Sequence, residues 1–444
     1  MNHSLKNSFL FLILVSITCT GQNIDSLVNL RVAWGDTPGI AAALYANGKT
    51  TYYSHGFANA ETKELVSPKT LFEIGSITKT FTNLLTAQRI EKGKISLDDP
   101  IQKFLPASVK VPESGGKKIT IENLATARSG LPRMPDNFAP ADNQNPFVDY
   151  TKKELYEFLN KYTLTREPGS SYEYSNLGMG LLATLLDNQK TFSQLIEEGI
   201  TRPLMMNQTF LNTPDNKLPH VAQGYSANIP VKAWTWTDQS VMAGAGGLIS
   251  NTEDMIKYLI ANLNESGPLG KSLAMTHQPR HDAGGANMEI GMGWHILNKT
   301  IVWHNGGTGG FRTFAGFNAK TKTAVVVLTN SNTGADDLGF HLLDNSLPLK
   351  TQRPTVAVDE KTLKDYVGEY ELTPQFKITV TLKDGSLFAQ ATGQSAFEIF
   401  PESQKKFFYK VVDAQIEFVR DEKGGVEKLL LYQNGATMGA KKIN

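Results

Sequence analysis

Strand pattern appears at both ends of the first 330 residues of this chain, with a helical middle between. Residues 38–58, "PGIAAALYANGKTTYYSHGFA", read as two apolar strands joined at Asn47-Gly48, a pair that accepts positive φ and so marks a tight hairpin. Clear strand pattern returns at 294–297, 301–304, 311–318 and 322–330. In between, helical patterns are expected over 76–92, 121–127, 152–160, 176–187, 192–199 and 252–263, and Gly93 is placed to end the first of them. A lone hairpin is marginal in water, so the two ends are expected to share one sheet in an α+β domain completed by distant parts of the chain.

The chain changes character after that domain. "SLPLKTQRPTVAVD" (346–359) carries two prolines and no amphipathic period, which reads as a linker over 347–358. Beyond it, 359–444 alternates apolar and polar residues, with turns at Asp384-Gly385 and Gly424-Gly425. The expectation is a separate small all-β barrel or sandwich.

Lys and Arg number 44 against 43 Asp and Glu, a formal charge of +1. That balance lacks the basic excess of a phosphate-backbone binder, so nucleic acid is excluded as a partner. At the N-terminus, Lys6, the apolar run 9–17 and the small, polar "TCTGQ" describe a secretory leader over 1–22, too short to span a bilayer. An exported protein, periplasmic or secreted and without a membrane span, is expected. The single cysteine, Cys19, falls in this leader, so the mature chain should lack disulfides and cysteine metal sites. Cys19 as a lipidated first residue is the alternative, weakened by Ser16 where lipoprotein leaders favour leucine.

"FEIGSITKTF" (72–81) places Ser76 and Lys79 on one face of the first helix. A serine hydroxyl needs a base to become a nucleophile, and a desolvated lysine can serve. The helix start also offers N–H groups to an oxyanion. Ser-x-x-Lys alone is weak: it recurs at Ser114/Lys117 and Ser403/Lys406, and Ser76 could be a plain helix cap. Order adds weight. Tyr174-Ser175-Asn176 opens an apolar helix after a Pro168-Gly169 turn, and His304-Asn305-Gly306 ends a strand.

Ser-x-x-Lys, a second polar element and a third basic-x-glycine element are the signature of serine β-lactamases and penicillin-binding proteins. This chain resembles their class C relatives, whose second element is Tyr-x-Asn; "FEIGSITK", "LDDPIQKFLP", "AQGY" around Tyr225 and "TGGF" extend the likeness over about residues 30–345. The resemblance implies a β-lactamase/transpeptidase-like domain over 23–346, an antiparallel sheet flanked by helices plus a helical subdomain, followed by a lipocalin-like tail. It implies Ser76 as nucleophile, Lys79 and Tyr174 sharing the base role, and backbone N–H groups of Ser76 and Gly307 as the oxyanion hole. It further implies Asn176, Tyr225, His304, Gly306 and Gly307 as substrate contacts. No cofactor or metal is expected. The substrate would be a β-lactam, a D-Ala-D-Ala or D-amino-acid peptide, or an ester, with peptidoglycan as the larger partner; a protein that acylates without turnover is the alternative.

His304 departs from the pattern, because class C β-lactamases and most penicillin-binding proteins carry lysine there, and His-x-Gly looks like the esterases and D-amino-acid peptidases of the same superfamily. An unperturbed imidazole titrates near 6.5, so activity on carboxylate-bearing substrates is expected to change between about pH 5 and 8. Arg312 is a candidate replacement charge, although a surface strand arginine is the simpler reading. Thr78 and Ala127 are minor departures, and Trp234 and Trp236 read as core packing rather than a substrate wall. Pro279 splits the two histidines of "HQPRH" (277–281) and breaks the helix a zinc site of that spacing uses. The chain has no Gly-x-Ser-x-Gly elbow, which argues against an α/β-hydrolase.

Overall fold

The N-terminal hairpin and the late strands share one antiparallel sheet. They do so in a computed structural model that describes residues 23–186, 189–211, 220–351, 355–394, 396–410, 412, 414–433 and 436–443. The expected leader, with Cys19, lies outside the described residues. In spatial order the nine strands are His281–Asp282, Met288–Ile290, His295–Leu297, Ile301–Gly307, Arg312–Asn318, Thr323–Thr329, Gly39–Ala46, Lys49–Asn59 and Glu64–Leu65. One long-range pairing joins the two ends, with Ile40 opposite Thr329 and Tyr45 opposite Ala324. The hairpin turns where expected, with φ of 52° at Asn47 and 75° at Gly48.

The central strands are apolar on both faces because helices cover both. Ala41, Ala43, Val326 and Leu328 face a core shared with helices Thr78–Glu91, Thr252–Asn264 and Gly270–Thr276. Their neighbours Ile40, Ala42, Val325 and Val327 face the opposite layer, where helices Ile24–Ala33 and Asp336–Leu343 pack. Helix Thr78–Glu91 is buried along most of its length. Its threonines satisfy themselves locally: Thr80 Oγ1 donates to Ile77 O at 2.8 Å and Thr86 Oγ1 to Thr82 O at 2.9 Å. Helices Lys152–Lys161, Asn176–Thr184 and Phe192–Ile196 build the layer on the site side, each capped by a Thr or Ser.

The tail is a closed barrel of eight strands, each antiparallel to the next, sealed where Tyr370 lies opposite Lys442. Its interior holds an apolar core: Tyr366, from helix Glu360–Tyr366, stacks on Phe418 at 4.0 Å and meets Phe407 edge-on. The segment expected to be a linker is tied at both ends. Leu347 and Leu349 pack into the sheet domain and Lys350 Nζ reaches Asp36 at 2.9 Å, while Val356 N donates to Pro401 O of the barrel. Among the described residues no helix is long and apolar enough to cross a membrane.

Candidate active site

Ser76 lies in the tight turn Gly75–Ile77 that runs straight into helix Thr78–Glu91, which puts Lys79 on the same face. Lys79 Nζ donates to Ser76 Oγ at 2.9 Å and to Ala245 O at 2.6 Å. It is 3% exposed. Burial, and after it the charge of Arg133, holds Lys79 well below the ordinary lysine range, which favours the neutral amine beside the hydroxyl. Thr78 points away from this pair and accepts the Leu248 N–H at 3.1 Å.

Glycines bring the second wall in. A Cβ on Gly306 would lie 2.0 Å from Ile74 O, and one on Gly75 (φ 51°) would lie 2.7 Å from Gly307 N. Only bare backbone allows strand Ile301–Gly307 to press against the nucleophile's segment. Thr313 Oγ1 locks the contact by donating to Ile74 O at 2.9 Å. Gly307 therefore lines the same cavity as Ser76, where its N–H and that of Ser76 can serve a developing oxyanion. Gly306 is a buried spacer rather than a substrate contact.

Tyr174 closes the site from behind. Lys79 Nζ lies 4.7 Å from the centre of its ring, and the Ser76 hydroxyl faces its phenol. Burial pushes the Tyr174 pKa up, keeping the phenol protonated. Behind Tyr174 stand His304, ring centres 6.1 Å apart, and His295, 5.2 Å further on, whose Nε2 lies 2.9 Å from the Tyr172 hydroxyl.

The sequence profile of the family described as Beta-lactamase matches residues 24–343. The chain belongs to the beta-lactamase family. A second profile, Domain of unknown function (DUF3471), matches 352–444. A beta-lactamase of Pseudomonas fluorescens is 29% identical over 70% of this chain and 93% of that protein. Penicillin-binding protein 4* of Bacillus subtilis is 26% identical over 88% of this chain and 92% of its own. The octameric penicillin-binding protein homologue of Pyrococcus abyssi superimposes with a TM-score of 0.65 at 23% identity, over 94% of this chain and 99% of that one, a likeness of fold.

Besides Gly306, three expectations need correction. His304 is 2% exposed, its Nδ1 is 2.6 Å from Asn305 O, and burial holds it well below the ordinary histidine range. It is a neutral wall, not a group that titrates between about pH 5 and 8 in front of a substrate. Tyr225 is buried away from the cavity, its hydroxyl accepting the Ala60 N–H at 2.8 Å. Asn176 lines the cavity as a substrate contact would, its amide donating toward Met134 Sδ at 3.6 Å. Trp234 and Trp236 both line it as well as packing: Phe147 stacks on Trp236 at 5.2 Å and meets Trp234 edge-on at 4.9 Å.

The cavity measures about 120 Å³, and Arg133 at its mouth is the one charged residue lining it among the described residues. Arg133 also sits 5.0 Å from the Tyr174 ring. Arg312 is exposed, its Nε bonded to Asn332 O and its guanidinium lying across Gly307. Arg133, Phe147 and Thr308 escaped the sequence reading. "LPRMP" and "NPFVD" are loops without period, and nothing local marks their side chains as facing Ser76.

Proposed function

We propose that the chain is a serine hydrolase that acylates Ser76 with a β-lactam or a D-Ala-D-Ala-type amide and releases the acyl group to water. The 2.9 Å contact between buried Lys79 Nζ and Ser76 Oγ carries the reading. Neutral Lys79 takes the hydroxyl proton as Oγ attacks the carbonyl carbon, and the oxyanion forms against the N–H groups of Ser76 and Gly307. The lysine proton then passes to the leaving nitrogen, with the Tyr174 phenol beside it as donor. Water repeats the sequence on the acyl-serine. The names of the relatives, beta-lactamase and penicillin-binding protein, support this substrate class.

A second reading, esterase or D-amino-acid peptidase of the same family, is favoured by one observation: neutral His304 leaves no cation in the third motif for a substrate carboxylate. Rates on nitrocefin, a D-Ala-D-Ala peptide and a p-nitrophenyl ester, with Ser76→Ala as control, decide between them. Full activity in Ser76→Ala would overturn both. Intact mass after penicillin separates turnover from a lasting adduct, the mark of a binding or sensing protein. The leader composition supports export, and a secreted hydrolase of this kind would meet peptidoglycan; radiolabelled fractionation of the full chain tests that location.

A further inference from the structure

Glu73 is a buried acid that acyl transfer at Ser76 leaves unused. It ends the short strand Phe72–Glu73, three positions before the nucleophile, and is 2% exposed. Its Oε1 accepts the backbone N–H of Trp234 at 3.0 Å, and the Thr308 hydroxyl faces the same carboxyl as a donor. Glu73 Oε2 and Thr308 Oγ1 are both buried, and neither completes a hydrogen bond among the described residues. Trp234 and Thr308 line the cavity beside Ser76, and Thr308 directly follows Gly307. One carboxyl thus touches the nucleophile's segment, the aromatic wall and the end of the oxyanion strand.

Its surroundings favour the neutral acid. The paired strand Ile249–Ser250 brings no charge. The charged or titratable groups on the other elements nearby are Lys79 on the following helix, Arg133 at the cavity mouth, Arg312 across from Gly307, and His304 on the oxyanion strand. Among the described residues none of them forms an ion pair with Glu73, and burial lowers the pKa of both Lys79 and His304. An ionised carboxylate here would be unpaired in a dry site, and burial pushes Glu73 up to about 7. The Thr308 hydroxyl and the Trp234 backbone N–H can both donate to this carboxyl, which offsets part of that burial.

We propose that Glu73 is a positioning acid for the Ser76 site: its carboxyl ties the Trp234 backbone and Thr308 to the nucleophile's segment, and ionised, it draws in the Thr308 hydroxyl as donor and sets a negative charge against the oxyanion. The proton leaves to water and returns from it, so the device needs no other reactant. Its kinetic half rests on the acyl-transfer reading; its structural half does not.

The test records kcat/KM on a p-nitrophenyl ester and tryptophan fluorescence of the full chain from about pH 5.5 to 8.5, with the Ser76→Ala rate subtracted. Relative to Glu73→Gln, wild type should lose about tenfold in kcat/KM between pH 6 and 8, as a single group of pKa about 7 ionises. Its fluorescence should step with the same midpoint. Glu73→Gln keeps an acceptor and a donor but cannot ionise, so both effects vanish in it; Trp234→Phe removes the fluorescence step. A falling limb that persists in Glu73→Gln, a step that survives in either variant, or no step in wild type overturns the proposal. If Ser76→Ala proved fully active, acyl transfer would fail as a reading while the fluorescence step still judged Glu73.

Discussion

The same four-residue motif sits in both halves of this molecule with opposite results. In the sheet domain, Ser76 meets a dehydrated Lys79 at 2.9 Å. In the barrel, Ser403 lies in the turn before strand Lys406–Tyr409 and its Oγ merely accepts the Lys406 N–H at 3.1 Å. Lys406 is half-buried, 3.9 Å from Glu402 and lying over Tyr432. The third copy, Ser114/Lys117, spans a two-stranded hairpin, with Lys117 paired to Glu167 at 2.9 Å. What separates the copies is the company that distant segments bring. Ala245, Tyr174 and strand Ile301–Gly307 strip Lys79 of water and offer it no carboxylate; the barrel leaves its lysine wet and near an acid. Reactivity here is a property of packing, and the motif only permits it.

The comparison breaks first at the serines. Ser76→Ala should lower kcat/KM by about 10⁴-fold or more, while Ser403→Ala leaves it unchanged; equal losses on the same ester would erase the distinction. Lys79→Met is expected to cost about 10²–10⁴-fold and Lys406→Met nothing, read as kcat at saturating substrate. Stability should divide the other way. Phe418→Ala in the barrel core should cost about 3–5 kcal/mol in denaturant titration yet leave kcat/KM of the folded enzyme intact. Trp236→Ala sharpens the contrast within the site, with about a tenfold loss on aromatic acyl esters and less on acetyl esters. The smallest effect is one of slope. Burial pushes His295 down to about 4 from 6.5, so the unfolded chain takes up a proton that the native chain refuses, and stability from this group falls as pH drops from 6.5 to 4. The advantage of wild type over His295→Gln in thermal melts should therefore shrink across that window.

Elements with a strong local period were legible from residues alone. The Asn47-Gly48 hairpin, the helix after Ser76 and the alternating strands of the barrel each declare themselves within a dozen residues. Ser76, Lys79 and Tyr174 were legible because their chemistry is rare in that order. Helices Ile24–Ala33 and Asp336–Leu343 were not seen, although they cover one whole face of the sheet. His304 shows the limit most clearly: its identity suggests a titrating group, and only the rings of His295 and Tyr174 around it reveal a neutral one. Glu73 stands in the nucleophile's own segment, yet nothing in a glutamate's identity shows that it is buried.

The pairing of Ile40 with Thr329 and the seating of Gly307 against Gly75 carry a consequence for the order of assembly. A chain growing from its N-terminus holds Ser76 and Lys79 early, but Ala245, Gly307 and the closing strand arrive much later. Contacts this remote in sequence are slow to form and make little sense until the loop between them has closed. The nascent protein therefore carries a serine that is chemically inert, and the same event that completes the sheet arms it.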